Sequence, residues 1–260
     1  MTEHSDQPPL PSGAPDTPEA AALTRRLALA METNPEDVSS PSLWRLVAES
    51  EVVLEPLRRL GRTIDTAPAA HPQTVMLLPG FATHPVRMRY MAKQLEKAGH
   101  TVKRWGMGFN WGATQERLEA LEHRLDDINL RYDQPVVLVG WSLGGLFARE
   151  LAKLHPDKVA KVITMGSPFS GSMRANNAWR AYQFVTGHRV DRPPIDAHLH
   201  EKPPVETVAL WSPRDGIVSP RSACGRDGER DRAIALRCSH LGFAYSPESI
   251  AAVLRELDSV

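Results

Sequence analysis

Ten consecutive residues constrain this chain more than any others: Val136, Val137, Leu138, Val139, Gly140, Trp141, Ser142, Leu143, Gly144 and Gly145. An apolar, largely β-branched run entered by Pro135 stops at a Gly-x-Ser-x-Gly pentapeptide. Leu143, Leu146, Phe147, Glu150, Leu151 and Leu154 then mark one helix face that ends near His155-Pro156. With 17 glycines and as many serines in 260 residues, the pentapeptide alone arises by chance roughly 0.07 times, so the flanking strand and helix patterns supply the rest of the signal. A serine on so sharp a turn needs small neighbours, because a Cβ at Gly140 or Gly144 would collide where the backbone folds back on itself. Such a turn leaves the Ser142 hydroxyl exposed at its apex.

That strand, elbow and helix, preceded by the Leu78-Pro79-Gly80-Phe81 segment, resemble the α/β-hydrolase fold family, in particular its small bacterial lipase-like and esterase-like serine hydrolases. The resemblance covers residues 73–258. It implies a nucleophile, an acid and a histidine in that chain order, the histidine near the C-terminus. It also implies hydrolysis of carboxylic esters through an acyl-enzyme, with no cofactor and no metal. Acyl transfer, thioester or amide cleavage and lyase chemistry are alternatives on the same scaffold, as is a binding protein without turnover.

Each member of that set has a candidate. Residues 233–238 read as a strand, and Ser239-His240-Leu241-Gly242 follows its end, which makes His240 the candidate base among ten histidines. His188, His198 and His200 compete for the role but lie in a Pro-rich stretch. Residues 205–211 form another apolar run, after which Asp215 sits in a turn as the candidate acid, 73 residues after Ser142 and 25 before His240. An Asp-Gly pair is also an ordinary turn signal. For an oxyanion hole, the backbone N–H of Leu143 follows the serine directly, and the resemblance assigns the second donor to Phe81 in the loop after strand 74–78.

From residue 74 the pattern alternates strands near 74–78, 101–105, 136–139, 159–165, 205–211 and 233–238 with helices, which predicts a doubly wound, mostly parallel sheet with helices on both faces. Ligands then belong at the carboxyl ends of its strands. Residues 167–204 interrupt the rhythm and read as a small cap insertion, with a helix over 176–186 carrying Trp179, Tyr182 and Phe184. Phe169, Trp179 and Trp141 are the candidate substrate contacts. The cap aromatics serve equally well as that element's own core, and Trp105, Met107, Phe109 and Trp111 form a second candidate pocket wall.

Lys plus Arg equals Asp plus Glu at 31 each, which removes the electrostatic case for nucleic acid binding. The expected partner is a small-molecule or lipid-like ester. Residues 1–18 read as a disordered tail without a secretory signal, and no run of 18 apolar residues is present, so a cytoplasmic location is expected. Residues 19–62 form a helical appendage. Leu43, Leu46, Val47, Leu54 and Leu57 make a stripe expected to pack on the catalytic domain, 63–260, and Gly61 closes that helix. A homodimer contact or a membrane-surface contact is the other use of such helices. Cys224 and Cys238 are expected to stay reduced. The glycines at 106, 108 and 112 miss the dinucleotide spacing, and Asp196, His198 and His200 lack a further clustered ligand for a metal.

Overall fold

Near-continuous apolar runs bounded by turns become strands buried on both faces, and they stack side by side in one parallel sheet. The computed structural model describes residues 18–35, 37–50, 64, 66–195 and 198–259. Two helices, α1 (Pro18–Ala30) and α2 (Leu43–Ala48), precede the sheet. The core then runs β1 (Thr74–Leu78), α3 (Arg89–Lys97), β2 (Thr101–Arg104), α4 (Gln115–Tyr132), β3 (Val136–Trp141), α5 (Leu143–Leu154) and β4 (Val159–Met165). It continues through α6 (Trp179–Thr186), β5 (Glu206–Trp211), α7 (Pro220–Cys224), β6 (Arg232–Ala235) and α8 (Pro247–Asp258).

The strands lie in the order β2-β1-β3-β4-β5-β6, and every pairing is parallel. Successive side chains point to opposite faces. Val75, Leu77, Val137 and Val139 therefore pack with Met91 and Leu95 of α3 and Ile250, Val253 and Leu257 of α8. On the other face Met76, Leu78 and Leu138 pack with Leu121 and Leu125 of α4 and Phe147 and Leu151 of α5. The chain leaves β1 towards one edge and returns at β3 towards the other, so a crevice opens at their carboxyl ends.

Strand boundaries depart from the pattern where backbone pairing, rather than hydrophobicity, sets them. β3 runs on to Trp141, pairing through Trp141 with Met165 of β4, whereas β6 stops at Ala235. Residues 236–239 therefore lead to His240 outside the strand. The cap helix begins at Trp179 instead of 176, because Asn176 turns its carboxamide onto the Met173 carbonyl and the Ala178 N–H.

The appendage differs most from expectation. α2 ends at Ala48, and Leu43, Trp44 and Val47 are 73%, 83% and 61% exposed. It docks on the catalytic domain through its backbone and Glu49 instead of through that stripe. Leu54, Leu57 and Gly61 lie outside the described residues, as does the N-terminal tail up to residue 17. α1 lies against the cap helix α6, where Gln183 Nε2 donates to the Leu29 carbonyl at 2.6 Å. No helix among the described residues is long and apolar enough to cross a membrane.

Candidate active site

Ser142 stands between β3 and α5 with φ 54° and ψ −120°, a conformation that costs a non-glycine residue about 1–3 kcal/mol and persists only where its surroundings enforce it. They do so here by close approach. A Cβ on Gly140 would strike the backbone of Gly144 and Gly145, and one on Gly144 would strike the Leu78 carbonyl. The Ser142 N–H donates to the Met165 carbonyl at 2.8 Å. Leu143 opens α5, so its N–H has no intrahelical acceptor.

Two loops at the carboxyl ends of β5 and β6 carry the acid and the imidazole. Asp215, fully buried, accepts from the Ile217 and Val218 N–H groups at 2.9 and 2.7 Å through Oδ1, and its Oδ2 lies 2.8 Å from His240 Nδ1. Ser212 Oγ ties the loops together by donating to the Cys238 carbonyl at 2.6 Å. Trp141 Nε1 donates to the His240 carbonyl at 3.1 Å, and the two rings lie 5.9 Å apart, which brings the imidazole against the elbow. Burial pulls the His240 pKa down, but Asp215, by charge and hydrogen bond, and the Glu49 carboxylate outweigh it and hold the pKa above its ordinary 6.5.

The structure forms one of the two contacts a proton relay requires, between His240 and Asp215. Ser142 Oγ has no hydrogen-bond partner among the described residues. Catalytic hydrogen bonds that are open in the free protein commonly close only around substrate.

The loop after β1 sits on the far side of the elbow, and Asn110 holds it. This fully buried side chain donates from Nδ2 to the Pro79 carbonyl at 2.8 Å. Its backbone carbonyl accepts from Ala82 at 2.7 Å, and its N–H donates to the Thr83 carbonyl at 3.0 Å. Ala82 is thereby kept at φ 53°. Neither the Phe81 nor the Leu143 N–H donates to a protein acceptor among the described residues.

Between elbow and cap lies an apolar cavity of about 70 Å³, walled by Phe81, Leu146, Met173, Trp179, Tyr182 and Val190 among others, with Ser142 opening onto it. Trp179 and Tyr182 thus serve as both cap core and cavity wall. Glu150 also reaches the wall, its carboxylate 2.6 Å from Lys153 Nζ, and burial pushes its pKa up. Two sequence candidates lie elsewhere. Phe169 packs with Leu146 and Ala209 beneath the Arg149 guanidinium, 4.2 Å from its ring centre, and Trp141 is buried beside His240. Trp105 is in the core, while Phe109 and Trp111 stack on the surface.

Among the competing histidines, His188 meets the Tyr182 hydroxyl at 3.2 Å, and the His198 carbonyl accepts from Lys153. Asp196 lies outside the described residues, among which no three potential metal ligands gather. Cys224 and Cys238 are both free, and burial pushes the Cys238 thiol pKa up. Two polar residues of the site carried no local signal: Asn110 stands in an aromatic loop, and Glu49 looks like one surface charge among several on a helix.

A family model of the alpha/beta hydrolase fold matches residues 73–198. A pimeloyl-(acyl-carrier protein) methyl ester esterase of Aromatoleum aromaticum is 39% identical over 67 residues, 26% of this chain and 27% of that protein. The biotin biosynthesis bifunctional protein BioHC of Teredinibacter turnerae is 39% identical over 51 residues, 20% of this chain and 9% of that protein. The chain therefore spans less than a third of the length of either curated relative. The structure of Paleococcus ferrophilus monoacylglycerol lipase superposes with a TM-score of 0.53 at 17% identity, covering 74% of this chain and 96% of that one. Aspergillus fumigatus lipase B gives 0.52 at 18% identity, covering 72% and 54%. At such identities the superpositions speak to the fold alone, and the segment matched by the family model begins one residue before β1 and runs past the elbow into the cap. The chain has the α/β-hydrolase fold.

Proposed function

We propose that this protein hydrolyses small carboxylic esters, with Ser142 as nucleophile, His240 as general base and then acid, and Asp215 as the group that orients and charges the imidazole. The observation that carries this reading is the buried 2.8 Å contact between His240 Nδ1 and Asp215, set against an elbow whose serine opens onto an apolar cavity. A carboxylate can only accept, so Nδ1 bears the proton and Nε2 keeps its lone pair for the serine hydroxyl.

Ser142 Oγ gives its proton to Nε2 as it bonds to the ester carbonyl carbon, and the oxygen that becomes negative lies between the Phe81 and Leu143 amides. Each such donor contributes on the order of 3 kcal/mol to the transition state. The C–O bond to the alcohol breaks as the imidazolium returns the proton to the leaving oxygen. Water, deprotonated by the same nitrogen, then attacks the acyl-serine and releases the acid. The cavity is apolar and small, about 70 Å³, and such a space favours short acyl groups over long lipid chains.

The test is turnover of p-nitrophenyl esters graded from acetate to palmitate, together with labelling by a fluorophosphonate probe. Short-chain preference is expected, with loss of both turnover and labelling in Ser142→Ala. An S142A protein that keeps its parent's esterase activity removes the mechanism.

A further inference from the structure

We propose that Glu49, supplied by the N-terminal segment, is a positioning residue for this reaction: its carboxylate binds the loops after β5 and β6 together and so fixes Asp215 and His240 relative to one another. The inference rests on the Ser142, His240 and Asp215 reading given above.

Glu49 is 4% exposed, although it leaves a helix that is otherwise on the surface. Its Oε1 accepts from the Gly216 N–H at 3.0 Å and from the His240 N–H at 2.7 Å, and its Oε2 accepts from the Leu241 N–H at 2.9 Å. Gly216 follows the acid directly, so one carboxylate holds main-chain donors adjacent to, or belonging to, both members of the pair. Those three donors are buried or half-buried, and no other acceptor among the described residues receives them. A buried carboxylate is tolerated where both of its oxygens accept hydrogen bonds in this way.

Independent features bring Glu49 to that spot. A Cβ on Gly216 would collide with the Arg45 carbonyl, so α2 rests directly on the loop that carries the acid. Asn177 Nδ2 donates both to the Pro41 carbonyl at 3.0 Å and to the Gly216 carbonyl at 2.7 Å, and Ser40 Oγ donates to the Asn176 carbonyl at 3.2 Å. Further upstream, Glu32 pairs with Arg174 and Arg189 of the cap. The segment is thus a strap running from cap to relay.

Charge adds a second consequence. The groups around His240 are the Asp215 carboxylate, the Glu49 carboxylate, the neutral Cys238 thiol two residues upstream, and the Trp141 and Phe243 rings. Asp215 and Glu49 both favour the imidazolium that forms when the serine proton is taken.

The experiment compares full-length wild type, Glu49→Gln, Glu49→Asp and Ser142→Ala by pH profiles of kcat and KM on a short-chain p-nitrophenyl ester, with thermal melts. Glu49→Gln is expected to lower kcat by about 10–100-fold with KM within about threefold, and to move the acid limb of kcat/KM down by about half a pH unit or more. Glu49→Asp keeps the charge, so its limb is expected at the wild-type position with a kcat loss of about 3–10-fold. If Glu49→Gln does not fold, Glu49→Asp decides, and a wild-type kcat in that variant overturns the proposal. So does a Glu49→Gln protein with an unmoved limb, whether or not its rate falls. An active Ser142→Ala protein defeats the underlying reading, and this inference with it; an inactive one beside a wild-type-like Glu49→Gln defeats this inference alone.

Discussion

Replacing Asn110 by Ala tests how the loop after β1 is held. The side chain is fully buried and donates to the Pro79 carbonyl at 2.8 Å, while its Oδ1 accepts from the Gly112 N–H at 3.3 Å. Alanine keeps the backbone bonds to Ala82 and Thr83 but strands a buried carbonyl and a buried amide. Each stranded group costs about 1–3 kcal/mol, and the longer bond to Gly112 belongs at the low end, so a total near 2–4 kcal/mol is expected. For a folded region of this size each kcal/mol shifts Tm by about 2–4 °C. A fall of about 4–16 °C by calorimetry follows from those two ranges. Freed from Pro79, the loop no longer presents the Phe81 amide at a fixed angle, and kcat on a short-chain ester is expected to fall by about 10–100-fold, part of the loss seen when an oxyanion donor is removed. Asn110→Asp removes the donor without shrinking the side chain, so it should be no better than alanine. An alanine variant that melts within about 1 °C of wild type and turns over at the wild-type rate refutes the reasoning.

The acid limb of kcat/KM should lie above pH 6.5, because His240 must be unprotonated to take the serine proton and its neighbours hold its pKa above that value. A titration of initial rates from pH 5 to 9 checks this, and a limb centred at or below 6.5 contradicts the charge argument. Leu146→Trp, which fills the cavity from α5, should cut kcat/KM for butyrate esters by about tenfold relative to acetate esters, in line with the 1–3 kcal/mol of a lost apolar contact. Equal effects on both chain lengths would show that the acyl group lies elsewhere.

Parallel strands and the elbow were legible in the sequence because their determinants are local. Apolar runs define β1, β3, β4 and β5, and the need for glycine at 140 and 144 is a steric fact written in five residues. Asp215 and His240 could be chosen because each follows an apolar run, and the structure brings that pair within hydrogen-bonding distance. Asn110 and Glu49 could not be chosen. Their roles depend on backbone groups from distant segments, and nothing about an asparagine in an aromatic loop or a glutamate after a short helix marks the partner. Phe169 stands where the cap insertion begins and Trp141 within the elbow, yet hydrophobicity alone does not say which side of its turn a ring occupies. Charge patterning likewise left open how α2 would dock, since its contact is made by a carbonyl and a carboxylate while its apolar side chains face outward.

Arg149 bears on how the cap is fastened over the elbow. Its guanidinium is buried within α5 and donates to the main-chain carbonyls of Leu199, Glu201 and Glu229, and burial lowers its pKa only to about 10. Because the acceptors are backbone atoms and the donor stays cationic at any physiological acidity, neither pH nor exchange of outer side chains unfastens the returning limb of the cap. That limb is the riveted flank of the cap, while at the opposite flank α6 leans on α1.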